Sequence, residues 1–482
     1  MIASVVVDPR IKYPSHHDFF SPDRAWPEYR CGHLSSRPNP VYNAVRECLA
    51  NSGLDQENLG TSNWNPLRNF IRPGNKVFLL CNFVEQKVGR VSDEEFNAKC
   101  THGSVIRALI DYVLLALNGQ GSVTFGNAPL QSCDWAAVTQ QTGATRVAEF
   151  YSQVCKGAVP VVLTDLRQHI IRRDALGGVT TDLHVEKNGL WVEVDLGAAS
   201  LLDELCGHGS IPKFRVLDYD PRRIERCHEK SRHLYLMSRH IIESDVVLSV
   251  PKLKTHEKVG ITCGIKGCVG TIAHKDCLAH HRLGPPRQGG DEFPDKLAPL
   301  SFFSKIHDRA FSSAPGVYRG LLHAVNYVSR KVIRRFTRSM SGSWPGNDTC
   351  WRMAVDLARI IEHADKTGQL RQEKVRTHIM LTDGVIGGEG DGPLSPKPVQ
   401  LGLLAFSDNI VLGDFVNSLS MGYDPDSIPM IREAFKLRDY PLTSRGIADP
   451  IIGLNGETLS MGDYRLRFGR KFRPPREWRR AL

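Results

Sequence analysis

The chain has 482 residues, of which 41% are apolar and 24% charged, and its formal net charge is +10. This balance is typical of a globular protein that folds without help from metals or disulfides, and the length predicts two or three packed units. No apolar run reaches the length that a bilayer span needs, and the N-terminal residues lack a basic region and a signal core. We therefore expect a cytoplasmic protein.

The twelve cysteines are scattered without the paired spacing of a disulfide framework. This distribution predicts buried thiols in a reducing compartment. There is no Cys-x-x-Cys run, so the sequence supports neither a ferredoxin-type cluster nor a zinc ribbon.

Apolar and amphipathic segments alternate along the chain. In chain order they predict a helix near 43–52, a strand after Arg72, a helix at 103–117, a strand near 121–127, a helix near 133–142, a strand near 159–165, strands at 190–196 and 244–250, a helix after Asp348 and a strand at 377–382. Such alternation predicts an α/β fold with parallel sheets covered by helices.

The same pattern predicts five regions. They are an irregular N-terminal arm (1–70), a main α/β domain (71–300), a basic helical segment (301–345), a second α/β portion (346–445) and a basic C-terminal tail (446–482). We expect the two α/β units to face a common cleft, because the strands that end at Val250 and Leu381 both run into glycine-rich loops.

Residues 245–281 are the part of the chain richest in reactive side chains. Four histidines, three cysteines and five lysines are interleaved with glycines there. Histidines act as bases near neutral pH, and lysines with free glycine amides bind anionic groups. The predicted catalytic side chains are Lys254, His256, Lys266, His280 and His281. The alternative is a glycine-rich turn with solvated lysines.

A second glycine-rich loop carries the carboxylates of Asp383, Glu389 and Asp391. Hard divalent cations prefer such oxygen ligands, and together with His256 these residues are the predicted metal ligands. The spacing is not that of an EF-hand. An exposed acidic turn explains the pattern equally well.

Much of the positive charge lies in residues 305–338 and in the tail. The first segment has helical spacing, with a basic face that includes Arg319, Arg330, Lys331, Arg334 and Arg338. We expect it to pack on the protein with its charges solvated, and peripheral contact with a membrane is the alternative. Nothing in the sequence predicts nucleic-acid binding.

Several short motifs occur in an order that resembles the family known as domain of unknown function 362. They are Val-Pro-Lys-Leu-Lys-Thr-His (250–256), Gly-Ile-Thr-Cys-Gly-Ile-Lys-Gly (260–267), Leu-Ala-His-His (278–281), Gly-Gly-Asp-Glu (289–292), Asn-Asp-Thr-Cys-Trp-Arg (347–352) and the glycine-rich run 383–393. The resemblance extends from about residue 70 to 440. Family members usually have Lys-Pro-Asn where this chain has Leu80-Cys81-Asn82, an aspartate in place of Asn127, and often Lys-Asn in place of Lys266-Gly267.

The 245–281 segment is also similar, more distantly, to the catalytic segment of the lactate racemase family. That resemblance implies a nickel-pincer nucleotide held by Lys266, with His256 as a catalytic or ligand imidazole. The predicted cofactor-binding residues are Asn82, Gly260, Gly264 and Lys266. We expect an enzyme that acts on a small anionic substrate, with a divalent metal or such a nucleotide as cofactor. The alternatives are a metal-assisted hydrolase or phosphoryl-transfer enzyme and a membrane-associated accessory protein.

Overall fold

The computed structural model describes residues 1–173, 179–184, 189–207, 213–216, 219–313, 316–333, 335–337, 339–446, 450–468 and 471–482. These residues contain eighteen strands: β1 (Ala3–Val7), β2 (Lys76–Cys81), β3 (Ser122–Asn127), β4 (Val161–Asp165), β5 (His169–Arg173), β6 (Val179–His184), β7 (Trp191–Asp195), β8 (Phe214–Arg215), β9 (His228–Glu229), β10 (Arg232–Ser238), β11 (Val246–Val250), β12 (Lys252–His256), β13 (Gly260–Ile261), β14 (His281–Arg282), β15 (Thr377–Glu389), β16 (Lys397–Ser407), β17 (Ile451–Leu454) and β18 (Glu457–Ser460).

The same ranges contain fourteen α-helices: α1 (Pro40–Asn51), α2 (Asp93–Asn97), α3 (Gly103–Leu117), α4 (Trp135–Thr142), α5 (Ala144–Glu149), α6 (Pro221–Ile224), α7 (Arg239–Ile242), α8 (Cys263–Gly267), α9 (Ser301–Ser312), α10 (Val317–Ile333), α11 (Cys350–His363), α12 (Ile410–Ser420), α13 (Pro429–Ala434) and α14 (Met461–Arg467).

One large sheet organises the chain. Its strands follow the order β18-β17-β1-β16-β15-β11-β2-β3-β4, and the short strands β12 and β13 extend it beside β15. The pairs from β15 to β4 are all parallel. Parallel strands need apolar side chains on both faces, which the apolar runs of β2 and β11 supply. The predicted α/β class is therefore confirmed, with the two predicted units joined in one sheet.

Helices cover both faces of this sheet. Val77 and Leu79 of β2 belong to one hydrophobic core, and Phe78 and Leu80 belong to the other. This alternation follows from the two-residue period of a strand. Helices α1 and α3 contribute to the first core, and α11 and α12 contribute to the second.

The N-terminal arm is more regular than the sequence predicted. Its first strand, β1, pairs antiparallel with β16 and parallel with β17 near the edge of the central sheet. Helix α1 lies near the predicted position, and the side chain of Asn39 caps it by accepting a hydrogen bond from the amide of Tyr42. The arm therefore contributes to the core.

The C-terminal tail, which the sequence marks only as basic, is also part of the folded body. Strands β17 and β18 extend the central sheet. Phe472 and Trp478 are 1% and 2% exposed, and the Trp478 indole donates a hydrogen bond to the carbonyl of Glu257. The charge of this segment is evident from the sequence, whereas the burial of its aromatic side chains is not.

The basic segment 301–345 is helical as predicted, but α10 is oriented differently from our expectation. Its buried residues are His323, Asn326 and Ile333, whereas many of its aliphatic side chains are exposed. Arg334 and Arg338, which we placed on the basic face, lie outside the described residues. Within the described ranges, no helix combines the length and the apolar character needed to cross a membrane.

The cysteines differ in one respect from the prediction of thiols alone. Cys31 and Cys155 are joined by a disulfide that links the N-terminal arm to the segment after α5. The other ten cysteines are free and buried, as predicted.

We predict that Trp478→Ala lowers the free energy of unfolding by about 3–5 kcal/mol, because it removes a fully buried aromatic side chain. Leu466→Ala is the control, since Leu466 is 83% exposed and its loss should change stability by less than about 0.5 kcal/mol. Urea denaturation followed by circular dichroism measures both changes. Equal midpoints for Trp478→Ala and wild type would show that the tail does not stabilise the fold.

Candidate functional site

The site lies at the carboxyl ends of the parallel strands. After β11 the chain passes through Pro251 into β12, which continues beside β15 with Lys252 opposite Asp383 and Lys254 opposite Gly388. A tight turn then leads into β13, whose Gly260 pairs with His256 of β12. The segments predicted to end at Val250 and Leu381 are therefore adjacent, but β15 continues to Glu389, so the predicted second loop is strand as far as that residue. The carboxyl end of β11 lies where ligands bind in open α/β sheets.

A cavity of about 160 Å³ opens between these strand ends and the neighbouring loops. Its polar lining residues are Asn82, Asn127, Tyr219, Lys254, His256, Glu257, Lys258, Thr262, Lys266, Lys275 and His280. Four of these residues are lysines and one, Glu257, is a carboxylate. The described part of the lining is therefore strongly basic.

Three of the four lysines are anchored by oxygen atoms. The Lys254 ammonium donates to the side-chain oxygen of Asn82 at 2.6 Å and to the carbonyl of Lys99 at 2.5 Å. Lys275 donates to the carbonyl of Ala128 at 2.9 Å, and Lys258 donates to that of Ser341. The described residues supply no hydrogen-bond acceptor to the fourth ammonium, that of Lys266, which lines the cavity.

Burial destabilises the charged form of all four amines. It lowers the pKa of Lys254 and that of Lys275 to about 7, and it lowers the pKa values of Lys258 and Lys266 from their ordinary range. The positive charge of Lys266 lowers the pKa of Lys275 further. Near neutral pH, a bound anion would favour the protonated forms of these amines.

The two imidazoles of the cavity are held in opposite tautomers. Nδ1 of His256 accepts a hydrogen bond from the amide of Lys258 at 3.1 Å, so the ring hydrogen of the neutral form is on Nε2. Nδ1 of His280 lies 3.0 Å from the carbonyl oxygen of Leu278 and therefore donates to it, which leaves a lone pair on Nε2. His256 is thus suited to donate a hydrogen bond, and His280 is suited to accept a proton.

The surroundings of both imidazoles favour their neutral forms. Burial, reinforced by the charge of Lys266, lowers the pKa of His256 and that of His280 well below the ordinary value. The geometry favours His280 as the general base and His256 as a hydrogen-bond donor. It also disfavours His256 as a metal ligand through Nε2, because that nitrogen carries the hydrogen.

The third predicted histidine, His281, lines a different cavity. It is buried at the start of β14, where its backbone pairs with Arg215, and it faces Glu292, Ser304 and His307. His280 directly precedes β14, and successive side chains of an extended backbone point to opposite sides, which accounts for the two histidines lining different cavities.

Only two of the four predicted cofactor-binding residues line the cavity. Asn82 and Lys266 line the cavity, but Gly260 and Gly264 do not. The amides of Gly264 and Ile265 donate to the carboxylate of Asp414 at 2.7 and 2.8 Å, so they are not available to bind a phosphate group. Burial raises the pKa of Asp414 to about 7.

Asp383 lies outside the cavity lining and is itself fully buried within a polar cluster. Its carboxylate forms an ion pair with Lys252 at 3.1 Å, and it accepts hydrogen bonds from the Tyr13 hydroxyl at 2.5 Å and the His102 amide at 3.0 Å. These contacts explain the position of Tyr13, which also stacks on His102. The aspartate predicted as a metal ligand therefore joins the N-terminal arm to the sheet.

The other two carboxylates of the acidic loop bind the C-terminal segment. Glu389 accepts hydrogen bonds from the backbone amide and the guanidinium of Arg473 at 2.8 and 2.6 Å. Asp391 forms an ion pair with Arg476 at 3.1 Å. The acidic segment at the end of β15 and the basic tail are thus bound to each other.

The four predicted metal ligands do not converge. His256 faces the cavity, whereas Asp383, Glu389 and Asp391 are engaged in the ion pairs described above. Among the described residues, no group of three or more His, Cys, Asp or Glu side chains is arranged to hold a metal ion.

Sequence reasoning noted Lys258 and Lys275 as part of a dense segment but did not assign them to the site. It also missed Asn127, Tyr219 and Thr262 as lining residues. Asn127 ends β3, the neighbour of β2 in the parallel block, so its position at a strand end was the available signal. Tyr219 comes from a loop whose approach to the cavity has no local sequence pattern.

Comparison with known families confirms the resemblance inferred from the motifs. The sequence model of the family described as Domain of unknown function (DUF362) matches residues 195–418. The matched range contains every lysine and histidine of the cavity lining. It is narrower than the range from 70 to 440 that we predicted, and it omits β1 to β4. The local similarity to lactate racemases stays a prediction.

A curated relative gives a more distant match. A thylakoid-associated protein of Synechocystis sp. is 22% identical to this chain over 227 residues, which are 46% of this chain and 48% of that protein. The match spans about half the length of this relative.

The lowered pKa values predict how stability depends on pH. From about pH 7 to about pH 10, folded Lys275 holds less of its proton than the unfolded chain does, so its contribution to the free energy of unfolding rises with pH. Lys275→Met removes this contribution. The free energy of unfolding of wild type should therefore rise by up to about 1 kcal/mol more per pH unit than that of the variant.

Urea denaturation at several pH values across this range measures the difference. Lys296→Met is the control, because Lys296 is exposed and its loss should leave the pH dependence as in wild type. Identical pH dependence in Lys275→Met and wild type would mean that Lys275 titrates like an exposed lysine.

Proposed function

We propose that this chain, whose residues 195–418 resemble the domain of unknown function 362 family, is an enzyme that acts on a small substrate with a carboxylate or phosphate group. The main support for this proposal is that four buried lysines converge on one cavity, whose described lining has a single carboxylate, Glu257. Such a cavity attracts anions, and an anion bound there stabilises the ammonium forms that burial disfavours.

Lys266 is the residue best suited to hold the anionic group. The other three ammoniums already donate to protein oxygens, while Lys266 has its charge directed to the cavity without such an acceptor among the described residues. A charged hydrogen bond to carboxylate or phosphate is stronger than a neutral one. Asn127 and Thr262 supply further polar contacts at the cavity wall.

The paired histidines support acid–base chemistry on that substrate. His280, with its free lone pair on Nε2, accepts a proton from the substrate, and the His256 N–H and the Lys266 ammonium stabilise the negative charge that develops. Proton removal next to a carboxylate is a step of racemase-type reactions. A non-enzymatic accessory protein has no need for this arrangement of donors and acceptors.

The proposed cofactors fit the cavity to different degrees. Its volume of about 160 Å³ is well below the range from about 300 Å³ upward that drug-sized ligands occupy, so a nickel-pincer nucleotide is too large for it. A single divalent ion would find one suitable donor in His280, whose Nδ1–H is oriented by a carbonyl as in many metal-bound histidines. The predicted carboxylate ligands Asp383, Glu389 and Asp391 are committed elsewhere, which disfavours a metal-assisted hydrolase.

We predict that Lys266→Met weakens anion binding by about tenfold to a hundredfold, as expected for the loss of a hydrogen bond to a charged group. Isothermal titration calorimetry with inorganic phosphate and with acetate measures the affinity and shows which group the cavity prefers. Lys296→Met, at an exposed position, should bind like wild type.

Circular dichroism and thermal unfolding establish that the Lys266→Met variant is folded. If neither anion binds to wild type, or if folded Lys266→Met binds both anions as wild type does, the cavity is not an anion site and the proposed function is wrong.

A further inference from the structure

Helix α10 exposes an apolar stripe. Val317, Leu321, Val325, Val328 and Val332 recur at intervals of three and four residues, which places them on one side of the helix. Their exposed fractions are 93%, 61%, 42%, 59% and 51%.

The opposite side of α10 packs on the protein through more polar residues. His323 and Asn326 are 4% and 7% exposed, and the ring of Phe311 in α9 contacts that of His323 edge-on at 4.8 Å. A helix that serves only the core buries its apolar face and exposes its polar one. In α10 the more polar side is buried and the apolar side is exposed, so the apolar side is available to contact a partner.

The surroundings of the stripe are positively charged. Lys331 of α10, Arg335 just beyond it, and Lys305 and Arg309 of α9 are exposed. From Arg309 to Asn347 the sequence contains seven lysines and arginines and no aspartate or glutamate. The charge of this region is therefore uncompensated along the sequence.

Two aromatic side chains of the same segment are also exposed. Phe302 in α9 is 64% exposed, and Phe336, which follows α10, is 85% exposed. Aromatic residues beside aliphatic ones are typical of helices that lie in the interfacial region of a membrane. Exposed aliphatic and aromatic side chains together with exposed lysines and arginines suit that region.

We propose that α9 and α10 dock on an anionic lipid surface, with the apolar stripe of α10 inserted among the headgroups and the basic side chains bound to anionic lipid. Apolar burial and attraction to anionic lipid together give binding that neither supplies alone. A second copy of the chain is a poorer occupant, because two such faces would bring like charges together. The proposal is independent of the chemistry of the cavity.

Flotation of the full chain with lipid vesicles tests the proposal. Wild type should float with vesicles of equal parts phosphatidylcholine and phosphatidylglycerol, with an affinity at least about tenfold higher than for pure phosphatidylcholine, and high salt should weaken the binding. Leu321→Asp with Val328→Asp should reduce binding to the anionic vesicles by at least about tenfold.

Val88→Asp with Leu466→Asp is the matched control, because it adds the same charge at residues that are 60% and 83% exposed elsewhere. It should bind like wild type. The proposal is overturned if wild type does not bind the anionic vesicles, or if the stripe variant binds them as tightly as the control. Light scattering then decides whether wild type is a dimer that the stripe variant dissociates, in which case the stripe is a contact between copies.

Discussion

Burial of several lysine side chains around one cavity is the constraint on which this site depends. Removing ammonium groups from water costs free energy, and their mutual repulsion adds to that cost. Asn82 and three backbone carbonyls satisfy Lys254, Lys258 and Lys275. The remaining charge, that of Lys266, is left for a ligand, which makes an anion the natural complement of the cavity.

The loops around the cavity are held by carboxylates that lie away from it. Asp383 compensates the charge of buried Lys252 and fixes Tyr13 of the N-terminal arm. Asp414 binds the first amides of α8, the helix that carries Lys266. Glu389 and Asp391 bind the C-terminal segment, whose Trp478 lies against Gly260. Segments far apart in sequence therefore position a single site.

The sequence predicted the parts of this structure that have local patterns. The apolar run of β11 and the reactive residues that follow it located the cavity, and Lys254, His256, Lys266 and His280 do line it. The helical period of α10 was also recognisable. These features depend on neighbours along the chain, which is why composition and spacing are sufficient to find them.

Long-range pairing was not predictable in the same way. Asp383 looked like a metal ligand because its partner Tyr13 is 370 residues away, and the acidic loop looked exposed because Arg473 and Arg476 lie in the tail. The roles of His256 and His280 depend on which backbone group faces each Nδ1. Which side of α10 is buried depends on how the helix packs against α9. The periodicity of its own sequence does not determine that packing.

Nuclear magnetic resonance of the full chain labelled with carbon-13 at the lysine side chains tests the central claim most directly. The account predicts that at least two lysines, Lys254 and Lys275, titrate near pH 7 and that inorganic phosphate raises their midpoints. Assignment through Lys254→Met and Lys275→Met identifies the two signals. Titration of every lysine near the ordinary value of about 10.4, with no effect of phosphate, would contradict a buried, anion-binding cavity.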